Sequence, residues 1–435
     1  MSDFNRRDVI RTAGLAAAGT LATAGTLAAA TSARAQSSGA SGDAATSGDP
    51  AAIERRLGNG MTQVPGDPIP AELTGRPEPA AFTPPAPPAE RLGWAIAGLG
   101  DFAINHMIPA LDDAQHSKLA GLVSGNAGKA AAVAKARGIA DAHVYSYETF
   151  DRIADDDAID VVYVVTPNTL HEDLVVRALR AGKHVLCEKP MAGSVAACER
   201  MIEAAKTADR KLMIAYRAHF EPHNLQAKTM MDAGNLGAVN FIDAYTHRPL
   251  DISRPRDQWR IRRELSGGGS MPDIGIYALN GVMFYLGEVP ESLTAQVHAP
   301  AGDPRFAEIE DVCAVQARFP SGAVAHMSSS YTTGANRISI FGDKALATLS
   351  PATSYHDNRL EVHEGGGVRQ VAVPEQSDVQ FHREMDHLSL AVKNGTDVRT
   401  PGEMGLRDVA LIEAIYHAAL TGERVALDET GRMKG

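Results

Sequence analysis

The hydrophobic pattern divides the chain into two unlike halves. Between about residues 93 and 220 the apolar residues fall in short unbroken runs. Each run ends at glycine, proline or a polar residue, and stretches with helical spacing lie between. "WAIAGLGDFAINHMIPAL", from Trp94, predicts a strand, a glycine turn and a helix. "KLAGLVSG" (118–125), "IDVVYVVTPNTLHEDL" (159–174), "KHVLCEKP" (183–190) and "KLMIAYRAHF" (211–220) predict further strands, with a helix over 170–181. Continuous apolar strands alternating with helices indicate a parallel sheet covered on both faces.

From about residue 237 the period changes to alternation. "AVNFIDAYTHR", "SLTAQVHAP", "VCAVQARF", "AVAHMSSSYT", "RISIFGD" and "ALATLS" predict antiparallel strands, with turns at Pro320-Ser321-Gly322 and Gly342-Asp343. Helices are expected at 270–286, 380–393 and 405–420. The fold class is therefore an α/β Rossmann-type parallel-sheet domain (93–218) plus an α+β C-terminal domain (219–435) with a large open, mostly antiparallel sheet. The final helices are free to pack back on the first domain. An open sheet of this size needs covering, so a homo-oligomer, dimer or tetramer, is expected.

The N-terminal segment lies outside this pattern. Residues 1–35 hold the pair Arg6-Arg7, a weakly apolar Ala/Gly/Thr run and Ala33-Arg34-Ala35. These are the parts of a twin-arginine export signal, which predicts a periplasmic protein exported already folded. The run is too poorly apolar for a membrane anchor, and no anchoring is expected after cleavage. Residues 36–92 are Ser/Gly-rich, then proline-rich. Such a segment is either a linker or an extended arm laid over a neighbouring subunit.

Composition narrows the chemistry. Of 435 residues, 53 are Asp or Glu and 42 are Lys or Arg, a formal net charge of -11, which disfavours a nucleic-acid partner. Cys187, Cys198 and Cys313 are scattered without a C-x-x-C pair, so neither a disulfide framework nor a cysteine metal site is expected.

Gly98, Gly100 and Ala103 occupy the three small positions of G-x-G-x-x-G/A, between a strand and a helix. In that context the motif predicts dinucleotide binding, with pyrophosphate at the helix N-terminus. The next strand ends at Ser124, with Lys129 beyond it, where an NAD site usually has an acid. A hydroxyl and a nearby cation suit a 2′-phosphate, so NADP is preferred. A lysine there is equally at home as a solvated helix residue.

Thr166-Pro167-Asn168, Glu188-Lys189-Pro190 and Tyr216-Arg217 fall at the carboxyl ends of predicted parallel strands, where such sheets bind ligands. Lys189 there is either a catalytic ammonium or a strand-end lysine reaching water. In "GGGSMPDIGIYALNG" (267–281), Asp273 and Tyr277 stand four apart on a predicted helix. They are either a buried tyrosine with an acid partner or a general base with its helper. A cation beside Tyr277 favours phenolate and lowers its pKa, and Lys189 is the expected source.

The segments "AGLGDFA", "LVSGNAGKA", "CEKPMA", "LMIAYRAHF", "QWRIRRELSGGGSMPDIGIYALNG" and "SSSYTTGANRISIFGDKA" resemble the Gfo/Idh/MocA oxidoreductases. A tyrosine at 277, where many members have histidine, is similar to the glucose–fructose oxidoreductase branch. The resemblance spans from Leu92 to the last helices. It implies Lys189, Asp273 and Tyr277 as the catalytic group. It implies nucleotide contacts from Ser124, Lys129, Asn168, Glu188, Tyr216, Trp259, Arg260 and Tyr355. It also implies tightly held NADP, oxidation of an aldose at C1 to a lactone, reoxidation by a second sugar such as fructose, and an arm that embraces a neighbour in a tetramer. The arm here is longer than that pattern, and the loop 245–258 leaves sugar preference open. A dehydrogenase with exchangeable cofactor and a non-catalytic sugar-binding protein are the rival readings.

Overall fold

The computed structural model describes residues 86–434. The expected signal and nearly all of the expected arm lie outside the described residues.

Six parallel strands form the first sheet: β1 (Leu92–Ala97), β2 (Ser117–Val123), β3 (Val144–Tyr145), β4 (Val161–Val164), β5 (His184–Cys187) and β6 (Leu212–Ile214). Their order is β3-β2-β1-β4-β5-β6, the doubly wound arrangement. Successive residues of β1 feed opposite cores. Trp94 and Ile96 join Met107, Leu111, Met385 and Leu388, while Ala95 and Ala97 join Val175, Leu179 and Met201. Burial on both faces is why this strand reads as an unbroken apolar run.

The helices on this sheet include α1 (Ile108–Asp113), α2 (Ala127–Arg137), α3 (His171–Arg180) and α4 (Val195–Ala208). Two of them carry side-chain caps that the sequence supplies. Asn126 accepts from Lys129 N at the start of α2, and Ser194 accepts from Ala197 N at the start of α4.

The second domain opens with α5 (Pro222–Asp232) and β7 (Val239–His247), followed by α6 (Ile276–Leu286). Strands β8 (Ser292–His298), β9 (Val312–Arg318), β10 (Val324–Ser330), β11 (Ala335–Gly342), β12 (Leu346–Leu349), β13 (Leu360–Glu364) and β14 (Gly367–Gln370) come next. Helices α7 (Val379–Asn394) and α8 (Gly402–Thr421) precede a short β15 (Val425–Ala426). The sheet has nine strands, ordered β14-β13-β12-β11-β7-β10-β9-β8-β15. It is mostly antiparallel, but β7 and β10 pair in parallel along Val324–Ser330. Alternation reports which face a residue takes and not strand direction, so this pair was invisible in the sequence. Strands β13 and β14 also escaped notice: β14 is exposed along its length and has no buried face to set a period.

One face of this sheet is apolar and covered. Ile242, Ala244, Ala325 and Met327 pack in one core with Ala278 and Val282 of α6 and Val409 and Ile412 of α8. The opposite face carries Phe241, Asp243, Tyr245 and His247 of β7, none fully buried, and Phe241 lies 5.4 Å from the exposed ring of Phe341.

Helix α7 returns to the first domain. The Asp386 carboxylate accepts from Gln115 N (2.6 Å), His116 N (2.8 Å) and Ser117 Oγ (2.9 Å), bolting α7 to the start of β2. Ser389 accepts from the buried indole of Trp94 at 3.0 Å. Asp386→Ala strands several partly buried donors, and each costs on the order of 1–3 kcal/mol when unsatisfied. We expect a loss of about 2 kcal/mol or more in urea unfolding with nucleotide sites chemically intact. An unchanged midpoint would show that this bolt contributes nothing.

Candidate active site

The glycine turn follows β1. Gly98 has φ +106°, and a Cβ there would lie 2.4 Å from the carbonyl oxygen of Val165. Only glycine fits. At Gly100 an added Cβ would meet nothing within 4 Å, so its backbone faces open space. Ala103 is completely buried at the head of a π-helical turn (Ala103–Met107) that runs into α1. The three small positions thus do three things: turning, leaving room for a ligand, and packing helix on sheet.

Lys129 reaches back to this turn and donates to Leu99 O at 3.2 Å. Ser124 is buried at the end of β2, and its hydroxyl accepts from Asn126 N at 3.1 Å. Both residues flank the turn from the β2 side, where an adenosine ribose lies in this fold. No acid is placed there, so the donor set suits a 2′-phosphate.

The three glycines at 267–269 have a structural cause. Gly267 ends a short helical turn with φ +76°. A Cβ on Gly268 would meet the Tyr416 hydroxyl at 2.2 Å, and one on Gly269 would meet Glu310 O at 2.0 Å. The buried Glu310 carboxylate accepts from Gly269 N (2.8 Å), Met271 N (3.0 Å) and Tyr416 Oη (2.9 Å). A carboxylate therefore caps the helix that carries the site residues. That helix begins as a π-helical turn, Met271–Gly275, before α6.

Across this π-to-α junction Asp273 and Tyr277 part company. Asp273 Oδ2 accepts from Arg260 Nε (2.8 Å), Tyr331 Oη (2.9 Å) and Arg248 (3.5 Å). Its other oxygen lies 3.7 Å from Lys189 Nζ, which also donates to the Asp273 backbone carbonyl. Burial alone raises this carboxyl, but Arg260, Lys189 and Arg248 outweigh it and hold it well below the usual carboxylate range. Asp257 accepts from the same two arginines, completing a buried two-by-two ion set.

Tyr277 faces the first domain. Lys189 Nζ sits 4.7 Å from its ring centroid, and Arg217 Nε donates to its hydroxyl at 3.2 Å. The expected ammonium of the first domain thus meets the phenol of the second. The expected lowering of the phenol's pKa by that ammonium does not follow. Burial pushes Tyr277 up to about 12, and the cation pulling it down is Arg217. Lys189 lies over the ring face and donates one proton to the Asp273 carbonyl. Its own pKa is pulled down by burial and supported by Asp273 and Glu188.

Arg217 is the residue that sequence reasoning passed over. It was noted only as standing at a strand end. It is 4% exposed and bonds Gln380 Oε1 (2.6 Å) and Thr353 O (2.7 Å). Its guanidinium stacks 4.7 Å from the Tyr277 ring and 4.5 Å from the Tyr355 ring. The available signal was an arginine beside the apolar strand 211–216, where a charge is not expected without a task.

The other expected contacts disperse. Glu188 accepts from Tyr163 Oη at 2.6 Å and lies at the Lys189 end of the site. Trp259 lies beneath the Arg260 guanidinium at 4.5 Å. Arg260 itself is spent on Asp273 and Asp257. Asn168 donates to Ser266 O at 2.9 Å and ties the end of β4 to the turn before the glycines. Tyr216 is placed otherwise than expected: its ring is buried in the core beside α8, near Asp408, because the chain turns out of β6 at that residue.

A doubly wound sheet with an open glycine turn, joined to a second domain that brings a tyrosine and an acid to its Lys189, defines a nicotinamide-nucleotide oxidoreductase. The sequence comparisons agree. Residues 92–216 match the oxidoreductase family with NAD-binding Rossmann fold, and residues 224–348 match the GFO/IDH/MocA C-terminal domain. The chain belongs to the Gfo/Idh/MocA oxidoreductases. It is 34% identical over 339 residues to a D-xylose 1-dehydrogenase [NADP(+)] of Haloarcula marismortui, covering 77% of this chain and 93% of that protein. A second xylose dehydrogenase (NADP(+)), from Haloferax volcanii, is 28% identical over 77% of this chain and 99% of that protein. Among solved structures, an aldose-aldose oxidoreductase from Caulobacter crescentus complexed with glycerol superposes with TM-score 0.75. It has 44% identity and covers 78% of this chain and all of that one.

Two substitutions test the geometry. Asp273→Asn removes one of the two anions shared by Arg260 and Arg248 and leaves Asp257 with both. With that partner kept and Arg248 partly exposed, we expect a loss of about 1–3 kcal/mol, which thermal or urea unfolding will read. Gly100→Ala has room for its methyl in the free protein. We expect normal unfolding stability but weakened nucleotide binding by titration calorimetry, because the methyl occupies ligand space.

Proposed function

We propose that the chain is an NADP-dependent sugar oxidoreductase that oxidises an aldose at C1 to an aldonolactone. The observation that carries this reading is the convergence of Lys189 and Tyr277 from two domains on the ligand end of the parallel sheet. The xylose dehydrogenases and the aldose oxidoreductase among its relatives support a sugar as substrate.

Bound NADP supplies the hydride acceptor. The protein's part is to hold the sugar and move one proton. Tyr277 exchanges a proton with the oxygen on C1, a task worth roughly 10²–10⁴-fold in rate. Lys189 orients that oxygen from the neighbouring side. Asp273, fixed as an anion, keeps the lysine in place and offers an acceptor to a sugar hydroxyl. Ser124 and Lys129 would hold the 2′-phosphate of that nucleotide.

We further propose that the nucleotide stays bound and that a second sugar, a ketose such as fructose or another aldose, takes the hydride back. The aldose-aldose oxidoreductase is the relative that favours a two-sugar cycle. The export expected from the N-terminal segment fits a periplasmic enzyme that cannot draw on a cytoplasmic nucleotide pool. The half-exposed face of the nine-stranded sheet, with Phe241 and Phe341, is the surface we assign to self-association.

Mixing the dialysed protein with paired sugars and no added nucleotide tests this. Lactone and alditol formed together support the cycle. Oxidation only with added NADP supports an exchangeable-cofactor dehydrogenase, and no oxidation under either condition supports a binding protein. Tyr277→Phe is expected to fold, bind nucleotide and lose about 10²–10⁴-fold in kcat. Because burial pushes Tyr277 up to about 12, its neutral form dominates at pH 7. Oxidation, which needs the phenolate, should rise about tenfold per pH unit from pH 7 to 9 while chemistry limits the rate. Reduction, which needs the phenol, should not. A flat profile for oxidation would remove Tyr277 as the base.

A further inference from the structure

We propose that Arg217 is the positioning residue that makes Tyr277 a proton-transfer group: its guanidinium, locked by neutral acceptors and by two aromatic rings, holds the phenol oxygen and carries the positive charge against which the phenolate forms. The inference rests on the aldose-oxidation reading of the same site.

The hydrogen bonds of Arg217 are unusual for a buried cation. Its donors reach Gln380 Oε1, Thr353 O, Ser354 O and Tyr277 Oη, and no carboxylate is among them. Two of the acids near the site are held by other groups, and a third, the buried Glu384, feels the Arg217 charge without a hydrogen bond to it and is pushed up by burial and by Glu188. Glu188 is bonded by Tyr163, and Asp273 is taken by Arg260, Arg248, Tyr331 and Lys189. A desolvated guanidinium whose bonded acceptors are otherwise neutral has one titratable acceptor, the Tyr277 hydroxyl. An ion formed there gains a charge-assisted hydrogen bond in a water-poor setting.

The groups facing Tyr277 pull in opposite directions. Glu188 and Asp273 oppose its ionisation, and Arg217 favours it. Lys189 lies over the ring, and Tyr355 competes with Tyr277 for the same cation. The guanidinium lies 4.7 Å from the Tyr277 ring and 4.5 Å from the Tyr355 ring, and its Nε–H meets the Tyr277 oxygen at 3.2 Å. In the oxidation step the sugar O–H bond breaks and its proton joins the Tyr277 oxygen. The electron pair of the C1–H bond leaves as hydride to NADP, and the C1–O bond becomes a carbonyl. The reverse step returns the same proton. Arg217 bonds the phenol oxygen before and after each transfer.

The test is a double-mutant cycle on the full chain with nucleotide bound. An opposite charge at this range shifts a pKa by about 1–3 units, so Arg217→Ala should lower kcat for oxidation by roughly 10–10³-fold at a given pH, with KM little changed. In a Tyr277→Phe background the same change should cost nothing further. Methylguanidinium should restore Arg217→Ala, whereas urea, its neutral isostere, should not. Additive losses, or equal rescue by urea, would overturn the proposal. Should Arg217→Ala unfold, Arg217→Lys keeps the charge without the fork and should retain only part of the rate; full activity overturns the idea. Should the wild type oxidise no aldose, that failure belongs to the proposed activity. The Arg217 role is then read from the near-ultraviolet phenolate band, taken as the difference between chains with and without Tyr277→Phe. The Tyr277 titration must move up in pH when Arg217 is replaced, and an unmoved titration refutes the role.

Discussion

The carboxylate of Asp273 is the joint on which the site depends. It is buried where an anion is costly, and it survives because three cations and a phenol surround it. Those partners come from different stretches of chain: Lys189 from the end of β5, Arg248 from just after β7, Arg260 from the turn that follows, and Tyr331 from the end of β10. One side chain therefore fixes the approach of the two domains. It also sets the register of the helix that presents Tyr277 and the rotamer of Lys189. Glu310, capping that helix at Gly269 and Met271, pins the same N-terminal end.

Charges in the site are sorted by partner. Lys189 and Arg260 are neutralised by Asp273, while Arg217 is bonded only to neutral groups. Two cations thus stand near one phenol with different tasks: one is tied to an acid over the ring face, and the other bonds the oxygen. The sequence could suggest that a cation would be near Tyr277. It could not tell which one, because both stand beside strand ends in the same sheet.

Much of the architecture was legible from periodicity. The apolar runs at 94–97 and 161–164 are buried on both faces, and the alternation at 239–247 marks a sheet with one covered face. The glycine turn was legible because its requirements are local: φ at Gly98 and space at Gly100. What escaped was long-range. The triple glycine gave no local sign of its cause, the close approach of Glu310 and Tyr416. Tyr216, at a strand end, turned into the core rather than toward the site. The Arg217 contacts join residues 60, 136 and 163 positions apart, a separation that no local pattern carries.

The bond between Trp94 and Ser389 spans 295 positions. During synthesis the nucleotide-binding half emerges first, yet one wall of its core arrives only with α7. Until then the indole of Trp94 and the neighbouring Met107 lack part of their apolar cover. Ligand capture and domain closure must therefore await almost complete translation, and fragments ending before α7 would leave the ribosome with an unfinished Rossmann core.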